Sequence, residues 1–252
     1  MKGRQIVIGQ VFGRDAAALV EDGRLEDLLI DSSDVMPFAP GAICRAKVDR
    51  LVKGQGGVFL RLPDGARGFL RDRNGLREGQ SLIVQVSGST EEGKALPVST
   101  RLSFRGRLVI ATPGVPGVNV SRRIRDNDLR DALTRLGEQA LSGMASPPGI
   151  VFRSLAAHGD DDDVAAELDQ ILELAAAITA DSDGPPELLL DAPTPAETAW
   201  RDWSDPEPDS VEDGPDAFEL TGTVDHVESL LQSRVELGNG AWAEIEALRA
   251  LV

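Results

Sequence analysis

The stretch from Gly41 to Val86 limits the possible folds more than any other part of the chain. It holds four short segments, AICRAKVDRLV, GGVFLRLPDG, ARGFLRD and SLIVQVSG, in which apolar and polar residues alternate between glycine-rich or Asp-Gly turns. A period of two puts one face of each strand in a core and the other in solvent. Strands this short leave unpaired edges unless the sheet closes on itself, so the spacing predicts a small barrel. Gly54, Gly56, Gly57 and Gly65 supply its bends, and residues 76–80 form a brief link into its last long strand.

The flanks read differently. Ahead of the barrel, QIVIG is a strand and AAALVEDGRLEDLLI a hairpin turned at Glu21-Asp22-Gly23, with Pro37 and Pro40-Gly41 marking a boundary. Beyond residues 91–94, ALPVST and GRLVIATP resume a strand pattern outside the barrel. PGVPGVNVSRRIRD excludes a helix until Ser121, and DNDLRDALTRLGEQALSG is then an amphipathic helix with Leu129, Leu133, Leu136 and Ala140 on one face. GIVFRSLA is a strand, and the run Asp160 to Asp163 caps a second helix, VAAELDQILELAAAITA. PELLLDAP is a short strand, AETAWRDW a short helix bearing Trp200 and Trp203, and SDPEPDSVEDGPD a loose acidic connection. A helix over 224–232 and the hairpin VELGNGAWAEIE, turned at Gly238-Asn239-Gly240, complete an α+β or α/β body carrying an inserted barrel.

A formal net charge of −16 argues at first against a nucleic-acid partner. Its distribution argues the reverse. Residues 40–130 hold 17 Lys and Arg against 8 Asp and Glu, and the remainder 9 against 34, so a basic middle sits in an acidic chain. The single cysteine, Cys44, excludes an intrachain disulfide and a thiolate zinc site, and its apolar setting makes it a core residue. His158 and His226 are far apart in sequence, which leaves carboxylates with a hard cation as the remaining metal chemistry. The apolar runs are too short to span a membrane and the first residues are not a basic-then-apolar leader, so a soluble cytoplasmic protein is expected.

No nucleophile elbow, phosphate loop or dinucleotide fingerprint is present, and with 42 Asp and Glu any choice of an acid pair is arbitrary. Adjacent carboxylates such as Asp160 to Asp163 do not converge on one ion. The basic and aromatic residues carry more information. Phe59 and Phe69 lie among Arg61, Arg67, Arg71 and Arg73. Exposed on neighbouring strands, the rings would stack bases while the arginines hold phosphates; turned inward, they would fill the barrel core. Ser121-Arg122-Arg123 follows a glycine-rich turn, and Arg153 ends an apolar strand beside Ser154, a combination suited to clamping phosphate if the side chains converge.

In their order along the chain, PGAICRAKVDRLV, GVFLRLPDGARGFL, LREGQSLIVQV, GRLVIATPGVPGVNVSRRI, GIVFRS and VELGNGAWAEIEALRALV resemble the amino-terminal half of the ribonuclease E and ribonuclease G family. NVSRRI, GIVFRS and the terminal hairpin are the specific part of the likeness. The resemblance implies an endoribonuclease acting on single-stranded RNA with a preferred 5′-monophosphate. Its fold would be α+β: an RNase H-like α/β body over 1–38 and 95–204, an inserted S1 (OB-fold) barrel over 39–94, a linker over 205–216, and the start of a DNase I-like β segment over 217–252. Phe59, Phe69 and Lys94 look like its RNA-binding surface. Gly106, Ile110, Arg122, Arg123, Arg153 and Ser154 look like its 5′-phosphate sensor, with Ser154 where threonine is usual and Ile110 where valine is usual.

The same resemblance implies Mg²⁺ held by two catalytic aspartates expected beyond Val252, so no catalytic residue and no metal ligand is expected in these 252 residues. Single-stranded RNA is the implied partner, with homo-oligomers possible in a longer form. Three functions are open: an endoribonuclease of this type, a non-catalytic RNA-binding or regulatory protein, and a domain that keeps the fold without its ligand.

Overall fold

A computed structural model describes residues 3–51, 56–72, 75–91 and 93–245. Gly54, Arg73 and residues 246–252 of the expected DNase I-like segment lie outside the described residues. The strands in chain order are β1 (Arg4–Val11), β2 (Arg14–Glu21), β3 (Arg24–Ile30), β4 (Ile43–Leu51), β5 (Val58–Arg61), β6 (Arg67–Leu70), β7 (Ser81–Val86), β8 (Leu96–Ser99), β9 (Phe104–Arg105), β10 (Val109–Thr112), β11 (Gly117–Val120), β12 (Gly149–Phe152), β13 (Glu187–Leu190), β14 (Ser210–Asp213), β15 (Arg234–Gly238) and β16 (Ala241–Glu244). The helices are α1 (Asn127–Leu141), α2 (Asp161–Ala180), α3 (Pro195–Trp203), α4 (Ala217–Leu220) and α5 (Thr223–Leu230). Among the described residues no helix is long and apolar enough to cross a membrane.

The chain divides into two compact units. One comprises residues 1–31, 195–199 and 206–252, the other residues 32–194 and 200–205. In the first, β14-β1-β2-β3 form a sheet whose β1–β14 pair is parallel and whose other pairs are antiparallel. Val7, Val11, Ala16 and Ala18 pack with Ala217 and Phe218 of α4 and Val227 of α5 into its core. The hairpin expected at Asp22-Gly23 is present with both residues at positive φ. The opening strand is longer than QIVIG and runs into β2 through a second tight turn at Phe12-Gly13.

Two expectations change here. The acidic stretch after Trp203 is not a loose connection: Ser210–Asp213 is strand β14, in register with Gln5–Ile8 of β1. Residues 1–31 therefore build a sheet with part of 206–252, whereas the sequence division grouped 1–38 with 95–204. Composition hid this because a strand partner about two hundred residues away leaves no local periodicity.

The second unit holds the barrel. Its strands close in the order β4-β5-β6-β8-β7, with β7 returning to β4. The fifth strand, β8, was expected outside the barrel, yet it pairs in parallel with β6 and antiparallel with β7 and is what closes the sheet. The alternation seen in sequence is the wall itself: Cys44, Ala46, Val48, Val58, Leu60, Leu70, Val84 and Val98 point inward and are buried together.

Strand β4 separates two cores. Cys44 and Ala46 face the barrel interior, while Ile43 faces outward into a second core formed by β9–β12, α1 and α2. Arg45, also outward and almost fully buried, donates to the Pro185 carbonyl at 2.8 Å and is ion-paired with Asp181 and Glu187. Strand β13 pairs antiparallel with the first residues of β4.

The second core covers a sheet ordered β11-β12-β10-β9, in which β12 pairs parallel with β11 and antiparallel with β10. Helix α1 is capped by Asp126, whose carboxylate accepts from the amides of Asp128 and Leu129. Asp160 occupies the same place before α2 but makes no side-chain cap bond, so the acidic run contributes only favourable charge to the first turn of that helix.

Candidate nucleic-acid interface

The outer face of the barrel carries an ordered row of side chains. Phe59 and Phe69 are direct cross-strand partners on β5 and β6, with ring centroids 5.3 Å apart and planes at 57°. Both are half-buried and alternate with inward residues, so neither is a core phenylalanine. The row continues on either side: Arg50 of β4 pairs with Phe59 and sets its guanidinium carbon 4.8 Å from the ring centroid, and Pro97 of β8 pairs with Phe69. Gly57 underlies this platform, because a Cβ there would fall 2.3 Å from the tip of the Phe69 ring.

A basic row runs beside the aromatic one, with Lys47, Arg61 and Arg67 partnered across β4, β5 and β6. Arg67 donates to the Gly93 carbonyl at 3.1 Å, which brings the loop carrying Lys94 to the same edge of the sheet. Lys94 is exposed and pairs with Glu91 at 2.9 Å. Ring faces flanked by guanidinium groups suit stacked bases and their phosphates.

The second cluster is built at the carboxyl ends of β11 and β12, the two parallel strands of their sheet. Such ends commonly hold ligands in α/β sheets. Arg153 follows β12, and its amide donates to Leu108 at 2.7 Å. Its side chain bridges two acceptors, the Gly106 carbonyl at 2.7 Å and the Asp202 carboxylate at 2.8 Å. Gly106 is fixed in turn by α2: Glu167 accepts from the amides of Leu108 and Val109 at 2.7 and 2.8 Å, and a Cβ on Gly106 would lie 2.3 Å from that same carboxylate.

Asp202 gathers three guanidinium groups, from Arg153 and Arg201 at 2.8 Å and Arg105 at 3.5 Å. Burial pushes its pKa upward, but the Arg201 hydrogen bond and the charges of Arg201, Arg105 and Arg153 outweigh it and hold the group below the usual carboxylate range. Three cations on one anion leave a positive excess. Asp205 joins two more of the expected sensor residues: it accepts from the Ser154 hydroxyl and from Arg123 at 3.3 Å. The Ser154 hydrogen bond is the main reason its pKa is lowered, against a burial penalty and with help from Arg123 and His158. Beside it opens a cavity of about 320 Å³ bounded by Arg123, Arg125, Ser154, His158 and Asp205.

The structure thus brings Gly106 and Arg153 into contact and links Arg123 to Ser154 through Asp205. Ile110 is half-buried on β10, opposite Arg105 and Val151. Arg122 is exposed and takes no part in either ion-pair group. Sequence reasoning missed Asp202, Asp205, Glu167 and Arg105. The pair in RDWSD was visible only as two more acids among 42. No group of three or more His, Cys, Asp or Glu that could hold a metal occurs among the described residues, and Asp202 and Asp205 are engaged by arginines. The Mg²⁺ that the likeness implies is expected on aspartates beyond Val252, and no described carboxylate is assigned to it.

The resemblance read from the motifs is matched by a comparison over the second cluster. The family model of the Ribonuclease E/G family covers residues 103–236, a span that runs from the strand before Gly106 past Arg153, Asp202 and Asp205. A match over more than half of the sequence establishes that the chain belongs to the ribonuclease E/G family.

Proposed function

We propose that this ribonuclease-family chain binds single-stranded RNA on the outer face of its barrel and reads a 5′-monophosphate at the ends of β11 and β12. The observation that carries the proposal is the outward Phe59–Phe69 pair, set between Arg50 and the Lys47-Arg61-Arg67 row. Bases stack on such rings without regard to sequence, and the adjacent cations follow the backbone. The barrel is OB-like, and we read it as an S1 domain extended through β8. The body with β9–β12 we read as RNase H-like, and the hairpin β15–β16 as the beginning of a DNase I-like segment.

Arg153 supports the end-reading function. Its guanidinium is oriented by a carbonyl on one side and a carboxylate on the other, leaving a fixed direction for a terminal phosphate. Arg123 and Ser154 add a second cation and a hydroxyl donor. The described residues supply binding and orientation, and no hydrolytic step is assigned to them.

Fluorescence anisotropy with 3′-labelled single-stranded RNA tests the proposal. Binding should weaken with salt, with a slope of about −0.7 per phosphate contact, and tighten when the 5′ end carries a monophosphate. Salt-independent binding, or none, would overturn it.

A further inference from the structure

The two donors that a terminal phosphate would meet beside Arg153 are already in use. Ser154 Oγ and Arg123 Nη1 both donate to Asp205, whose carboxylate also forms part of the cavity wall near Arg125 and His158. The other carboxylate on that wall, Asp126, is committed to capping α1. We propose that Asp205 is a built-in competitor for this site: a tethered anion that an incoming phosphate must displace before it can reach Arg123 and Ser154. This rests on the reading of the cluster as a 5′-phosphate site.

The selectivity follows from charge. An internal phosphodiester carries one negative charge, as Asp205 does, so exchanging one for the other gains nothing electrostatically and gives up a partner already held in place. A terminal phosphomonoester carries about −1.5 to −2 at neutral pH and three acceptor oxygens, so it replaces the carboxylate with a net gain. Asp205 is free to yield, since its side chain is 24% exposed and can rotate towards solvent. The carboxylate thus lowers the affinity for either phosphate by one common displacement cost, and the discrimination between them comes from the cations the phosphate then meets.

The experiment compares affinities of 5′-monophosphorylated and 5′-hydroxyl single-stranded RNA for the full chain, for Asp205→Asn and for Asp205→Ser, at one ionic strength and neutral pH. Removing the charge is expected to tighten monophosphorylated RNA by roughly five- to tenfold and hydroxyl-ended RNA by no more than that, because the cost of displacing Asp205 is common to both. Asp205→Ser decides the question should Asp205→Asn lose its thermal transition. Unchanged or weaker binding of monophosphorylated RNA would overturn the proposal and make Asp205 a positioning residue for Arg123. Absence of any preference in the unaltered chain would overturn the phosphate-site reading itself, a result visible before either variant is compared.

Discussion

Arg153 donates 2.8 Å to the carboxylate of Asp202 while its other terminal nitrogen holds the Gly106 carbonyl at 2.7 Å. The guanidinium is thereby fixed in a plane before any ligand arrives, and preorganisation of this kind lowers the ordering cost of binding.

Replacing Arg153 by alanine should reduce the preference for a 5′-monophosphate without abolishing RNA binding, because the barrel face remains. Hydrogen bonds to charged groups contribute about 1.5–3 kcal/mol, which is roughly ten- to hundredfold in affinity. Titrating the variant with phosphorylated and hydroxyl-ended RNA measures the change, and an unaltered ratio would remove Arg153 from the sensor.

Phe59→Ala and Phe69→Ala should each weaken RNA binding by about 1–3 kcal/mol, the range found for base stacking on aromatic side chains. Because both rings lie outside the barrel core, the thermal midpoint should hardly move. The neighbouring Leu60→Ala, fully buried, should instead cost about 2–5 kcal/mol of stability. Unfolding of the phenylalanine variants would show that the pair supports the barrel.

Glu167→Ala should destabilise the turn that carries Gly106. It leaves the amides of Leu108 and Val109 without their acceptor, at about 1–3 kcal/mol for each buried group left unpaired. A denaturant midpoint equal to that of the unaltered chain would contradict the role assigned to Glu167.

Acid should loosen the arginine cluster late. Asp202 and Asp205 have folded pKa values below their unfolded value of about 3.9, so the stability they contribute is complete above that pH and is lost as pH falls through the lower folded values. In Asp202→Asn this acid-dependent part should shrink, which stability curves taken on either side of that pH would reveal.

The barrel was legible in the sequence because each strand is local and alternates, and Cys44 was legible as core for the same reason. The structure buries it fully, and burial, aided by the charge of Asp191, raises its thiol to about 11. Strand β8 was legible but not its place in the barrel wall, since a strand pattern does not say which neighbours it pairs with, and β14 was not legible at all, since its partner is about two hundred residues away and acidic residues mask the pattern. The same limit applied to the site. Arginines beside Ser154 stood out by type, whereas Asp202 and Asp205 acquire meaning only from the cations that surround them in space.

The most direct measurement is the ratio of dissociation constants of the unaltered chain for single-stranded RNA ending in a 5′-hydroxyl and a 5′-monophosphate, at one ionic strength. With Arg153, Arg123 and Ser154 serving the terminal phosphate, the monophosphorylated RNA should bind at least about tenfold tighter, the equivalent of one charge-assisted hydrogen bond. Equal constants would contradict the account.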